Sequence, residues 1–294
     1  TRALVKVQDG CDNFCAYCVV PLVRGREVSR PAEGILSEVR ALAGRGVMEV
    51  VLLGQNVNSY GKKEGEIPFP ELLRRISGIE GISRIRFITS HPRDLDDRTI
   101  RLFEEIETLC PHVHLPLQSG SDRVLAAMGR GYTRGEYVAK IEALRHVRPG
   151  IAFSSDFIVG FPGETEDDFR ETLAVMGVIR FDSSFSFRFS SRPGTRAAEM
   201  KEKVDPQEAA ARLRRLQEFQ AAHTRERLSA QVGREVTVLV EGKSARDPGM
   251  RCGRTACNKT VNFTPGSAEG PIRSVLVTGA GTHSLVGEER PSHA

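Results

Sequence analysis

Six cysteines occur in the 294-residue chain, at positions 11, 15, 18, 110, 252 and 257, and three of them crowd into eight residues. Cys11, Cys15 and Cys18 form C-x3-C-x2-C within the stretch GCDNFCAYC. Thiolates at this spacing can wrap one side of a small inorganic cluster. A 4Fe–4S cluster normally takes four cysteine ligands, so three leave one iron open, as a catalytic centre requires. Zinc is the alternative, but zinc ribbons usually pair two C-x2-C knuckles. Here the remaining cysteines lie more than 90 residues away, and His91, His112 or His114 would have to complete such a site. A secreted disulfide framework would be smaller and more evenly spaced, so the cysteine usage predicts a reducing, cytoplasmic setting.

The elements that must position this loop follow a regular rhythm. Leu4 to Val7 alternates like a strand and leads into the cysteine loop. Residues 32–43 place Ile35, Leu36, Val39, Leu42 and Ala43 at helical spacing, and Gly44 and Gly46 end that helix. EVVLLGQN, RIRFITS, HVHLPLQSG, AFSSDFIVGF and SFSFRFS read as strands. Between them, FPELLRRISGI, TIRLFEEIETL, a helix running to Val147 behind a Thr133–Glu136 capping box, and Glu166 to Ile179 read as helices. Six strand–helix alternations predict an α/β fold with a parallel sheet and right-handed crossovers. That is too few for a closed eight-unit barrel and fits an open, TIM-like (βα)6 partial barrel. Functional residues of such folds gather where strand carboxyl ends meet their loops. GCDNFCAYC, GQNVNS, SHPRD, QSGSD and GFPGET each follow an apolar strand there, and five polar clusters on one rim predict a functional face.

After residue 200 the pattern changes. Asp205-Pro206 opens a long helix to about Gln231, Gly233 stops it, and EVTVLVEG and SVLVTGAG read as strands of a small all-β barrel. The expected organisation is a core at 1–200, a linking helix at 201–232 and a β domain at 233–294. Charged residues make up 27% of the chain and hydrophobic ones 39%, an ordinary globular mixture rather than a disordered one. No apolar run approaches the length of a membrane span, and TRALVKVQDG is not a secretory signal. The formal net charge is +4. Residues 1–200 hold 27 basic and 27 acidic side chains, so the whole excess lies in the tail. A neutral body with a basic tail points to an anionic partner.

C-x3-C-x2-C on the first loop of a partial barrel resembles the radical S-adenosylmethionine (SAM) superfamily. The likeness goes further. GCDNFCAYCVVPLVRGREVSR, LLGQNVNSYG, SHPRDL, HVHLPLQSGSDRVLAAMGRGYTR, DFIVGFPGET and FRFSSRPGTRAA resemble the MiaB-type tRNA methylthiotransferases. CGRTACNKTVNF and SLVGE look like their TRAM domain, a small OB-like RNA-binding barrel. The resemblance covers residues 2–289 and implies addition of a methylthio group to carbon 2 of isopentenyladenosine beside the tRNA anticodon. It implies a SAM-binding 4Fe–4S cluster, SAM as methyl donor and radical source, an anticodon stem-loop as partner, a reductant protein such as flavodoxin or ferredoxin, and no membrane. A sister enzyme acting on threonylcarbamoyl-adenosine or a ribosomal-protein aspartate is the near alternative. A zinc-stabilised, non-catalytic RNA-binding module is the distant one.

The resemblance also implies residue roles. Cys11, Cys15 and Cys18 ligate the cluster. Gln55 faces the methionyl amino group of SAM, Gln118 and Arg130 clamp SAM, and Asp156 holds its ribose. In the tail, Lys243, Arg246, Arg251, Arg254 and Lys259 oppose only Asp247 and are expected to grip tRNA phosphates. Phe187, Phe189 and Tyr132 are candidate base-stacking platforms. One departure stands out: the family normally carries an N-terminal domain with three more cysteines and a second 4Fe–4S cluster. Cys110, Cys252 and Cys257 do not match those ligands. The chain is therefore expected to be a fragment of a longer enzyme.

Overall fold

The computed structural model describes residues 1–62, 66–88, 90–245, 247–267 and 269–290. Six parallel strands form an arc: β1 (Arg2–Lys6), β2 (Glu49–Leu53), β3 (Arg84–Phe87), β4 (His112–His114), β5 (Ala152–Val159) and β6 (Ser183–Arg188). β1–β2–β3 and β4–β5–β6 are two ladders, joined by a parallel bridge between Ile85 and Leu109. The crossovers are α1 (Ala32–Ala43), α2 (Phe69–Ser77), α3 (Asp97–Glu105), a short α4 (Asp122–Ala127) followed by α5 (Arg134–Val147), and α6 (Glu166–Ile179). Strand residues alternate between the two faces of the arc. Val5, Val50, Leu52, Ile85, Val113, Phe153 and Phe157 join the helices in one buried core. The alternate positions, Glu49, Arg84, Arg86, His112, His114, Ser154 and Asp156, carry the polar groups of the concave side.

Local chemistry explains the helix starts. Asp96, Ser121, Thr133, Thr165 and Asp205 each accept a hydrogen bond from the first turn of the helix they precede, and Thr133 and Thr165 form full capping boxes. HVHLPLQSG is shorter as a strand than its apolar pattern suggests. Pro116 has no N–H to give a ladder, and Gln118 turns to a φ of 75°. The helix α4, capped by Ser121, was not apparent from periodicity, because six residues offer less than two turns of it.

The long helix α7 (Pro206–Ser229) lies against α6 and β6. It leads into a closed five-stranded barrel of β7 (Glu235–Lys243), β8 (Arg251–Thr255), β9 (Thr260–Thr264), β10 (Ile272–Ala280) and β11 (Leu285–Glu289), in the order β8-β9-β11-β10-β7. Val238, Val261, Phe263, Val275, Val277 and Leu285 fill it. The barrel is docked on the amino-terminal ends of the core strands. Arg84 donates to the carbonyls of Arg254 and Thr237 at 2.8 and 3.1 Å, and Arg86 to those of Ala256 and Thr255, each at 2.8 Å. Glu49 lies beneath both guanidinium groups. This end of the arc is closed by protein, and the cysteine loop lies at the other end. Among the described residues no helix is long and apolar enough to cross a membrane.

Candidate cofactor site

The loop after β1 is tied down at both ends. Gln8–Asp9 pairs antiparallel with Val28–Ser29, so residues 10–27 form a closed excursion. Gly10 has φ 72°, and a Cβ there would sit 2.1 Å from the Arg26 carbonyl oxygen. Only glycine fits this crossing. Within the loop, Ala16 N–H donates to Met128 O at 2.7 Å, Ala197 N–H to Ala16 O at 2.8 Å, and Arg196 to Phe14 O at 3.0 Å. The RPGTRAA motif thus clasps the cysteine loop from the far end of the core. Phe14, between the first two cysteines, has φ 48°, a strained conformation for a non-glycine residue.

Cys15 is buried, and Cys11 and Cys18 are partly exposed. Burial pushes the Cys11 and Cys18 thiols above the ordinary thiol range. A metal centre must therefore displace protons, and its affinity rises with pH. Among the described residues no three His, Cys, Asp or Glu side chains converge as a single metal ion needs. A cuboidal cluster places each thiolate on a separate iron, so it does not require convergence on one point.

Arg130 is the cation at this site. It is 4% exposed and donates to Cys15 Sγ and Tyr17 Oη, both at 3.3 Å, to Tyr132 Oη at 2.9 Å and to Pro116 O at 2.9 Å. Its fork is directed at the cysteine loop and its surroundings. His91 Nε2 lies 4.0 Å from Cys15 Sγ. Burial, then the Arg130 charge, holds the His91 imidazole down to about 2, so it is neutral.

The two glutamines present a different chemistry. Gln118 is held in its left-handed conformation by β5, donating its N–H to Asp156 O at 2.8 Å and accepting from Ile158 N–H at 3.0 Å. Its Oε1, and that of Gln55 after β2, are buried without a hydrogen-bond partner. Buried amide oxygens are nearly always satisfied, and two orphaned acceptors at strand carboxyl ends suit a bound ammonium or hydroxyl donor. Asp156 sits within β5, its Oδ2 3.4 Å from His114 Nε2, and so shares the concave side rather than the rim.

A buried network supports this rim. Gln8 Nε2 donates to Ser59 Oγ at 3.0 Å and Ser59 Oγ to Glu27 at 2.6 Å. Asn56 Nδ2 donates to Asp94 at 2.6 Å, and Asn56 Oδ1 accepts from His91 N–H at 3.0 Å. On the other flank Ser121 Oγ donates to Asp168 at 2.6 Å and Glu164 accepts from Arg212 at 2.8 Å. GQNVNS is thus joined to SHPRD on one flank, and QSGSD to GFPGET through Asp168 on the other. Their polarity was visible in the sequence, but the partner each side chain takes was not.

The expected tail grip is divided. Lys243 and Arg251 are exposed, Arg254 pairs with Glu241 at 3.2 Å, and Lys259 pairs with Asp182 of the core. Arg246 lies outside the described residues. Of the aromatic candidates, Tyr132 is buried behind Arg130, Phe189 packs on Phe161 at 5.4 Å, and Phe187 is 54% exposed.

A strand–helix arc with three clustered cysteines after its first strand defines a class, and comparison with known proteins agrees. Residues 5–176 match the radical SAM superfamily model, and the chain belongs to that superfamily. Residues 229–288 match the TRAM domain. The chain is 52% identical over 289 residues to tRNA-2-methylthio-N(6)-dimethylallyladenosine synthase of Syntrophus aciditrophicus, covering 97% of this chain and 62% of that protein. It is also 52% identical to the synthase of the same name from Geobacter sulfurreducens, covering 97% and 64%. The chain thus spans somewhat less than two thirds of the length of these relatives. Among solved structures, the radical SAM methyltransferase TsrM of Kitasatospora setae aligns with a TM-score of 0.56 at 19% identity, covering 67% of this chain and 38% of TsrM. Coproporphyrinogen III oxidase of Escherichia coli aligns with a TM-score of 0.53 at 16% identity, covering 76% and 52%. These two likenesses establish the core fold.

Proposed function

We propose that this chain carries the SAM-cleaving and RNA-holding parts of a tRNA methylthiotransferase that adds a methylthio group to carbon 2 of isopentenyladenosine beside the anticodon. The observation that carries the reading is the identity of about half of all residues, across nearly the whole chain, to synthases of that modification. Cys11, Cys15 and Cys18 would hold a 4Fe–4S cluster through three thiolates. With one iron open, that cluster supplies the electron that cleaves bound SAM.

This chain's own residues then do four things. The Arg130 guanidinium donates to Cys15 Sγ at 3.3 Å and positions that sulfur. The orphaned Oε1 atoms of Gln55 and Gln118 accept hydrogen bonds from SAM. Asp156 accepts from ribose hydroxyls on the concave side. The docked TRAM barrel closes the other end of the arc, which limits entry of bulk water from there. The barrel orients tRNA, and a reductant protein of flavodoxin or ferredoxin type delivers electrons.

The substrate is tested by nucleoside mass spectrometry of tRNA from cells lacking the gene. Loss of 2-methylthio-isopentenyladenosine with accumulation of isopentenyladenosine is expected. Loss of a methylthiolated threonylcarbamoyl-adenosine instead would assign the sister activity.

A further inference from the structure

The cations expected to grip RNA between residues 243 and 259 do not form one surface, yet a different set gathers where no stretch of sequence announces it. Arg145 from the last turn of α5, Arg227 from the last turn of α7, Arg234 before β7 and Lys259 after β8 line a cavity of about 670 Å³ between core and barrel. One carboxylate, Asp182, shares the lining and is taken by Lys259. Arg145 and Arg227 donate to the carbonyls of Ile179 and Arg180 at the end of α6. Those carbonyls satisfy N–H groups, and the carboxyl-terminal dipole of α6 offsets the two guanidinium charges only in part. Arg234 is exposed and has no side-chain partner among the described residues. Nearby Glu226 is paired with Arg180. Lys259 is thus paired, and Arg145, Arg227 and Arg234 bring three guanidinium groups to a lining with no further carboxylate among the described residues, a net positive site that a bound anion would stabilise.

We propose that this cavity binds a backbone phosphate of a structured RNA. Guanidinium forks match phosphate oxygens in pairs, and three guanidinium groups line this cavity from separate elements, that of Arg234 with no side-chain partner among the described residues. The cavity lies at the amino-terminal ends of β5 and β6, where Gly150, Ile151 and Asp182 line it. The cysteine loop and the two glutamines follow strand carboxyl ends. The eight residues of β5 separate these levels by about 26 Å at roughly 3.3 Å per residue. A nucleoside in the concave site cannot reach the cavity, whereas the stem of a folded RNA spans that distance. The contact fixes orientation and carries no sequence preference. The proposal rests on the tRNA reading above.

The test measures binding of a labelled anticodon stem-loop RNA to the 294-residue chain across a salt series. Arg234→Glu is the primary variant, since Arg234 supports no other group; Arg98→Glu on exposed α3 controls for net charge. Relative to the control, Arg234→Glu is expected to weaken binding about tenfold and to reduce the salt slope by about one. RNA-independent SAM cleavage should stay unchanged. Arg145→Gln/Arg227→Gln should weaken binding further, with folding checked by circular dichroism. Millimolar inorganic phosphate serves as the competing arm, and it should displace the RNA only weakly. Equal affinity of Arg234→Glu and Arg98→Glu would overturn the site while leaving the tRNA reading intact. Phosphate binding that is tight and independent of RNA would also overturn it, in favour of a free-anion site. Failure of the unaltered chain to bind any RNA would overturn both.

Discussion

Arg86 offers the sharpest test of how the two parts of the chain are held together. It is 3% exposed, donates to Ala256 O and Thr255 O at 2.8 Å each, and places Nε 3.1 Å from Glu49 Oε1. That last contact is close without being a well-directed hydrogen bond, so its value is mainly Coulombic. Arg86→Ala leaves two carbonyls and a buried carboxylate short of a partner. A hydrogen bond to a charged group contributes about 1.5–3 kcal/mol, and breaking a buried ion pair costs about 3–5 kcal/mol. These overlap, because Glu49 keeps Arg2 at 3.1 Å and Arg84 at 4.0 Å. A cost of about 3 kcal/mol is expected, concentrated in the docking of the barrel rather than in the core. Limited proteolysis between α7 and β7 reads this locally. Cleavage there should accelerate about 100-fold, at 1.4 kcal/mol per tenfold. Arg86→Lys should fall between, keeping charge and losing the fork. The Arg86→Met/Glu49→Met pair should not recover the loss, since the Ala256 and Thr255 carbonyls stay unsatisfied and buried Arg84 loses its carboxylate. Cleavage of Arg86→Ala at the unaltered rate, or a double variant that regains the unaltered rate, would refute the reasoning.

Other outcomes follow from the same geometry. Burial, then the Arg86 charge, holds the His112 imidazole down to about 3, while in the unfolded chain it titrates near 6.5. His112 therefore contributes stability above pH 6.5 that is lost as pH falls toward 3, by up to about 1.4 kcal/mol per unit. His112→Gln should flatten that acid limb in urea titrations, and an unchanged limb would exclude His112 as its source. Gly120→Ala would put a Cβ 2.5 Å from Thr172 Cα, an overpacking worth about 1–3 kcal/mol, visible as a lowered thermal midpoint; an unshifted midpoint would argue against that close approach. Gln118→Ala should raise the SAM dissociation constant about tenfold with iron content unchanged, because it removes an acceptor and no ligand; unaltered affinity would remove Gln118 from the site.

The sequence carried the strand–helix rhythm because buried parallel strands such as EVVLL and capped helices such as TRGE each announce themselves within a few residues. It also carried the cysteine loop, whose three cysteines are local in sequence. What escaped it was non-local. Arg130 gave no sign that it would turn toward Cys15, since a separation of 115 positions says nothing of that contact. The charge run from Lys243 to Lys259 read as one surface, yet β8 pairs Arg254 with Glu241 of β7, and Asp182 takes Lys259. Arg145, Arg227 and Arg234 looked like ordinary helix-end and turn cations until the fold brought them to one cavity. Buried arginines on a strand, as in RIRF, likewise found their reason only in the barrel docked on them.

If Cys11, Cys15 and Cys18 hold the cluster, this chain cleaves SAM reductively. Anaerobic reconstitution with iron and sulfide, followed by dithionite and SAM, measures it directly as 5′-deoxyadenosine. The unaltered chain should form it, and Cys11→Ala, Cys15→Ala and Cys18→Ala variants should not. A fully loaded cluster that cleaves no SAM, or a Cys15→Ala variant that still does, would contradict the account.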